Sequence, residues 1–263
     1  TTLVVYSDTT DGRVESYNFR NDSGYPLARA GTGTSKTAFT AETSLSVGQE
    51  GYDIVEGDPL SFWVDEGFLA FDTSNIGAES TVTTAILNVT SANVASAALS
   101  LQARLYDWGT TLTSTDYVAG ASLSGYTLLA HATAITTLDT AYDFTDDAFP
   151  ANINKTGPTR ILINDAETVV GNSPGLNTLF AHIYSADQTG TGQDPKLTIT
   201  YLAPRGEIYV YAQAKIISIA SQFTQAQAKI KSTGQQYTQS QVDIKAVGQQ
   251  FPQAQGQIKL VGI

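Results

Sequence analysis

The chain has no cysteine and no methionine, only two histidines, and a charged content of 15%. Without cysteine there are no disulfides, no thiolate metal sites and no thiol nucleophile. The fold must therefore hold by packing and hydrogen bonds alone. The absence of Met is read as removal of an initiator ahead of Thr1. The opening Thr1–Asp8 stretch lacks the basic-then-apolar layout of a secretory leader. No apolar run approaches the roughly 18 residues of a membrane helix, so no membrane insertion is expected. Basic residues are scarce as well, 14 against 25 acids, for a net charge of −11. Counterion release from a nucleic acid needs a basic footprint, so no nucleic-acid partner is expected. Soluble domains average roughly 25% charged residues. This chain wets its surface with Thr, Ser, Asn, Gln and Gly instead, a habit of β-rich virion and extracellular proteins.

The sequence divides in two near residue 205. Thirteen of the 17 glutamines fall between Gln213 and Gln257. From Ile208 onward five lysines face one acid, Asp243, which leaves −15 on the part before it. Ala203-Pro204-Arg205-Gly206 at the junction reads as a linker, because Pro and Gly interrupt regular elements. The expected domains are 1–204 and 205–263.

Residues 1–204 read as a succession of strands. Leu99, Leu101, Ala103 and Leu105 alternate with polar partners, as a strand with one buried face requires. Thr81–Val89, Gly67–Phe71, Arg160–Ile163 and Pro195–Tyr201 behave alike. Asp11-Gly12, Gly57-Asp-Pro59, Gly157-Pro158, Asn172–Gly175 and Gly190-Thr-Gly192 supply turns between such runs. No amphipathic helix of 12 or more residues stands out, and Asn75–Ser80 has room for one helical turn. Many short strands with frequent turns predict an all-β fold, a β-sandwich or jelly roll.

Gly67-Phe-Leu-Ala-Phe-Asp-Thr-Ser-Asn-Ile76, the strand from Ala78 to Val89 and the closing Pro195–Tyr201 resemble the DNRLRE-type jelly-roll modules. The likeness spans about residues 2–202. These modules look like carbohydrate-binding modules and recur in phage virion and bacterial surface proteins. The resemblance implies a jelly roll, a virion or extracellular surface location, and a bound structural Ca2+ as a candidate cofactor. The Arg that usually precedes Gly-Phe in the family is Glu66 here, so its role does not transfer.

The tail is a 14-residue repeat beginning at Tyr209, Phe223, Tyr237 and Phe251, with Ile216, Ile230, Ile244 and Ile258 in one phase. As strands, Thr224, Ala226, Ala228 and Ile230 face away from Gln225, Gln227, Lys229 and Lys231. As a coiled coil, the aromatics and Ile fill the a positions, but Ala, Thr and Ser weaken the d seam and Pro252 interrupts it. Strands fit better, with a coiled coil as the alternative. Burying an Ala side chain yields ~1 kcal/mol at about 25 cal/mol per Å², while ordering each backbone residue costs about 1–2 kcal/mol. A lone tail is therefore short of core, and chains are expected to share their stripes. Phe223, Ile230, Tyr237, Ile244, Phe251 and Ile258 are the expected contacts of a homo-oligomer, a trimer by analogy with fibrous viral β-repeats.

Catalytic patterns are sparse. His131 and His182 lie within strand-like runs, and no nucleophile elbow, zinc-protease helix or phosphate loop is present. A glycosidase needs two carboxylates across one cleft; Asp53, Glu56, Asp58, Asp65 and Glu66 are the nearest group. The chain is expected not to be an enzyme. Loop acids Asp8, Asp11, Asp143 and Asp146 are the candidate Ca2+ ligands, since Ca2+ takes six to eight oxygens. For a cell-surface glycan, Trp108 with Tyr106 and Tyr117 is the expected stacking surface, ahead of Tyr126. Trp63 is expected in the core. The overall expectation is a virion structural or attachment protein (phage fibre, decoration or tail component) that contacts its own copies and other virion proteins. A glycan-binding adhesion module is the alternative.

Overall fold

Period-two alternation becomes strand wherever turn residues bound it. The computed structural model describes residues 1–19, 24–53, 60–94, 99–187 and 192–203. Strands β1 (Thr2–Tyr6) and β2 (Gly12–Asn18) precede helix α1 (Gly24–Ala30). Then come β3 (Ser35–Phe39), β4 (Ser44–Tyr52), β5 (Ser61–Asp72), β6 (Thr81–Val94) and β7 (Leu99–Leu105). β8 (Leu128–Ile135), β9 (Ala141–Phe144), β10 (Pro158–Asp165), helix α2 (Ala166–Val170), β11 (Thr178–Tyr184) and β12 (Lys196–Leu202) follow. The fold is all-β. The helical turn expected near Asn75 is a short 3-10 turn at Ser74–Ile76.

All pairings are antiparallel and run β1-β12-β6-β11-β4-β5-β10-β7-β8, with β2 joining β5 to β3 and β9 alongside β6. Two long strands make this connected sheet double over. Along β6, Thr81–Asn88 pairs with β12, whereas Ser91–Val94 pairs with β11. β4 stays beside β5 only from Tyr52↔Ser61 to Gly48↔Asp65, and β10 pairs with β5 from Gly67 to Asp72. Gly48 sits at the point of departure with φ +135°, and a Cβ there would lie 2.0 Å from the Leu179 carbonyl oxygen. Only glycine takes that conformation at no steric cost.

The doubled sheet encloses a core in which Leu45, Val47, Ala181 and Ile183 pack with Leu69, Phe71, Ile161 and Ile163. Leu87, Val89, Leu197 and Ile199 belong to the same cluster. β5 is buried along most of both sides, with only Trp63 and Asp72 partly or fully exposed. Its other side, through Val64, Phe68 and Ala70, meets Tyr25 and Ala28 of α1 and Trp108, Leu112, Tyr117, Val118 and Leu123. The segment 106–127 between β7 and β8 thus acts as a cover.

By its own contacts the chain separates into Thr1–Pro204 and Arg205–Ile263, and every described residue belongs to the first. The 14-residue repeat, with Phe223, Ile230, Tyr237, Ile244, Phe251 and Ile258, lies outside the described residues. Among the described residues no helix is long and apolar enough to cross a membrane.

Candidate functional site

Directly opposed residues in antiparallel strands share a face. The ladders place Ser35, Tyr17, Trp63, Glu50 and Thr178 in one row across β3, β2, β5, β4 and β11. At about 4.8 Å per strand the row spans roughly 19 Å. Each of its side chains is partly or fully exposed. The Tyr17 ring stacks on the Trp63 indole with centroids 4.6 Å apart and planes 23° apart. Phe19 stands beside Tyr17 at 6.0 Å. The Thr178 hydroxyl donates to Glu50 Oε1 at 2.7 Å and holds that carboxylate in place.

Two rows along β2, Arg13 organises the acids. Its Nε donates to Glu42 Oε2 at 2.7 Å, and one terminal nitrogen reaches Asp65 Oδ1 at 2.9 Å and Glu15 Oε2 at 3.2 Å. The guanidinium also lies 3.9 Å over the centre of the Phe39 ring. Burial works against the charge of Arg13, but Glu42, Asp65 and Glu15 outweigh it and raise the pKa. Burial pushes the Asp65 carboxyl up to about 7, an effect that Arg13 only partly offsets. Beside this cluster opens a cleft of about 440 Å³ lined by Arg13, Ala41, Glu42, Thr43, Ser44, Ser46 and His182. Burial, then Arg13, lowers the His182 pKa below the usual imidazole value. The imidazole is therefore neutral at physiological pH and offers one donor and one acceptor. A guanidinium already shared among three carboxylates has little charge left for an incoming anion, so the cleft favours neutral, hydrogen-bonding groups.

The expected stacking surface is elsewhere and is covered. Trp108 is 6% exposed and Tyr117 7%. Trp108 meets Phe68 edge-on, and the Tyr117 hydroxyl donates to the carbonyls of Ala28 and Arg29 at 3.1 and 3.2 Å. Tyr106 is half-buried and packs against Phe68 and Tyr126. The expectation that Trp108, Tyr106 and Tyr117 present themselves to a sugar is corrected: they close the outer side of β5. Trp63, expected in the core, is the partly exposed indole. The reason is topological: the segment 106–127 lies over the side of β5 that bears Val64, Phe68 and Ala70, while on the other side Leu69 and Phe71 enter the core and Trp63, near the start of the strand, stays partly exposed.

The four acids considered for Ca2+ serve local structure. Asp8 Oδ1 accepts the Thr10 amide at 2.7 Å and also the Thr10 hydroxyl. Asp146 Oδ1 accepts the Ala148 amide at 2.9 Å, and Asp143 Oδ1 accepts from Asn88 at 2.6 Å. Asp11 is buried, accepts the Ala70 amide at 3.0 Å, and is pushed up to about 8 by burial, so it holds a proton at neutral pH. Among the described residues no three His, Cys, Asp or Glu side chains are placed to hold a metal ion. The donor set does not fit a Ca2+ cage.

Of the acids weighed for glycoside cleavage, Glu56 and Asp58 lie outside the described residues. Asp65 and Glu66 are neighbours in β5 and so point to opposite sides. Asp65 joins Arg13, whereas Glu66 is fully buried and accepts the Val118 amide at 2.9 Å on Oε2. They cannot flank one substrate. Compared with known proteins, the chain matches no family model, and no curated protein matches it either. Sequence reasoning missed Arg13, Tyr17, Glu42, Glu50 and Thr178. The alternation Arg13-Val-Glu15-Ser-Tyr17 was the available signal, but the row forms only through pairings distant in sequence.

Proposed function

We propose that the chain is a non-enzymatic structural and attachment protein of a virion, a phage fibre, decoration or tail component. It displays a jelly-roll sandwich of the DNRLRE type at the virion or extracellular surface and self-associates through its repeat tail. The observation that carries this reading is the four-unit repeat of the tail sequence, in which aromatics and Ile recur every seven residues among Gln, Ala and Thr, too little apolar bulk to offset the ordering of a single copy. The fold supports it, because a core enclosed within residues 1–204 makes a self-contained module for display. Partners on this reading are further copies, three in the simplest assembly, and neighbouring virion proteins.

Light scattering of the full chain tests the reading. Assembly is expected for residues 1–263 and a monomer after deletion of 206–263. A monomeric full chain, or a truncated chain that still assembles, overturns it.

A second reading, a glycan-binding adhesion module, is favoured by one feature, the open face on which Tyr17 stacks on Trp63. The two roles are compatible on one particle.

A further inference from the structure

We infer that the open face of β2, β5 and β4 binds a neutral oligosaccharide, with one sugar ring stacked on Trp63 and the chain running toward Arg13. The inference rests on the glycan-binding reading and gives it a site and a ligand class. Exposed apolar side chains are ordinarily scattered singly. Here Phe19, Tyr17 and Trp63 are contiguous, and the last two are stacked. An indole fits the apolar C–H face of a pyranose, and an aromatic fixed by a neighbour loses little freedom on binding. Both rings project from strands, which hold a site more accurately than loops do.

Polar groups flank this platform where ring hydroxyls would reach. On one side the Glu50 carboxylate is held by the Thr178 hydroxyl, and on the other stands exposed Ser35. Along β2, Arg13 lies four residues from Tyr17, about 13 Å at strand rise. That length leaves room for more than one ring and leads into the 440 Å³ cleft, where Ser46 and neutral His182 supply further hydrogen bonds.

Charge selects the class of sugar. Glu15, Glu42 and Asp65 share the one guanidinium, Glu50 adds a further carboxylate, and residues 1–207 carry −15 overall. A uronate or sialate would meet like charge from these four carboxylates, whereas a neutral hexose meets donors and acceptors.

The test is calorimetric titration of the full chain with cellohexaose, maltohexaose, xylohexaose and mannohexaose, and with hexagalacturonate as the acidic counterpart. At least one neutral hexasaccharide is expected to bind. Trp63→Ala should weaken that binding at least about tenfold, as truncating a central aromatic anchor commonly does. Glu50→Ala should weaken it several-fold; because it leaves the aromatic pair intact, it decides the matter should Trp63→Ala fail to fold. Preferential binding of hexagalacturonate overturns the ligand class. Binding undiminished in both variants overturns the site while sparing the glycan-binding reading, and no binding of any hexasaccharide overturns both. A Trp63→Ala variant that changes native mass while keeping its sugar affinity makes the face a contact between copies, which also overturns the proposal.

Discussion

The Trp108 indole meets the Phe68 ring edge-on, with centroids 5.4 Å apart and planes at 81°. This contact ties the cover segment 106–127 to the central strand. Removing a buried aromatic of this kind costs about 3–5 kcal/mol. Trp108→Ala should therefore lower the denaturation midpoint without weakening sugar binding at Trp63. Urea unfolding read beside calorimetry separates the two effects.

Gly48→Ala should be among the most damaging single-methyl additions in the chain. At φ +135° the new Cβ would sit 2.0 Å from the Leu179 carbonyl oxygen, so β4 and β11 would have to part. A loss of at least ~2 kcal/mol is expected. A thermal melt of the variant checks it.

Arg13→Ala should destabilise by about 3 kcal/mol at alkaline pH, where Asp65 is ionised, because breaking a buried pair strands the remaining charge. The stranded group is Asp65, 4% exposed. Adding Asp65→Asn to Arg13→Ala should recover part of the loss. A double-mutant cycle on melting temperature gives the coupling directly.

Stability should fall as pH rises from 6.5 to 8.5. Asp11 is raised by burial from 3.8 to about 8, and Glu66 is likewise raised well above 4.5 by burial. In that range the folded state holds protons that the unfolded state has released, so each pH unit favours unfolding. Below pH 6.5 the sign is opposed by His182, whose folded pKa is lowered by burial and which must take up a proton on acidification. Asp11→Asn should flatten the alkaline slope of melting temperature against pH.

Much of the strand content could be read from short-range pattern. The alternation from Leu99 to Leu105 is β7 as expected, and the Gly67–Phe71 and Thr81–Val89 runs are parts of the longer β5 and β6. Such runs announce themselves because one face must be apolar at every second residue. The candidate site was hardly legible. Trp63 and Trp108 exchanged their expected places because exposure depends on which distant segment lies over which side of β5. Tyr17 and Trp63 are neighbours only through the β2–β5 ladder, and Glu50 joins them only through β4. Asp65 and Glu66 show the converse: adjacency in sequence set them on opposite sides of one strand.

Thr1 donates its amino group to the Tyr201 carbonyl at 3.0 Å, and Thr2 lies opposite Thr200. The first strand and the twelfth therefore begin and end at one corner of the sandwich. A pull applied between residue 1 and residue 203 would strain these hydrogen bonds one after another, as a zip opens, instead of shearing the whole ladder at once. Strand β1 becomes the mechanical fuse of the domain: it peels at low force while Leu87, Leu197 and their neighbours keep the remaining sheet closed.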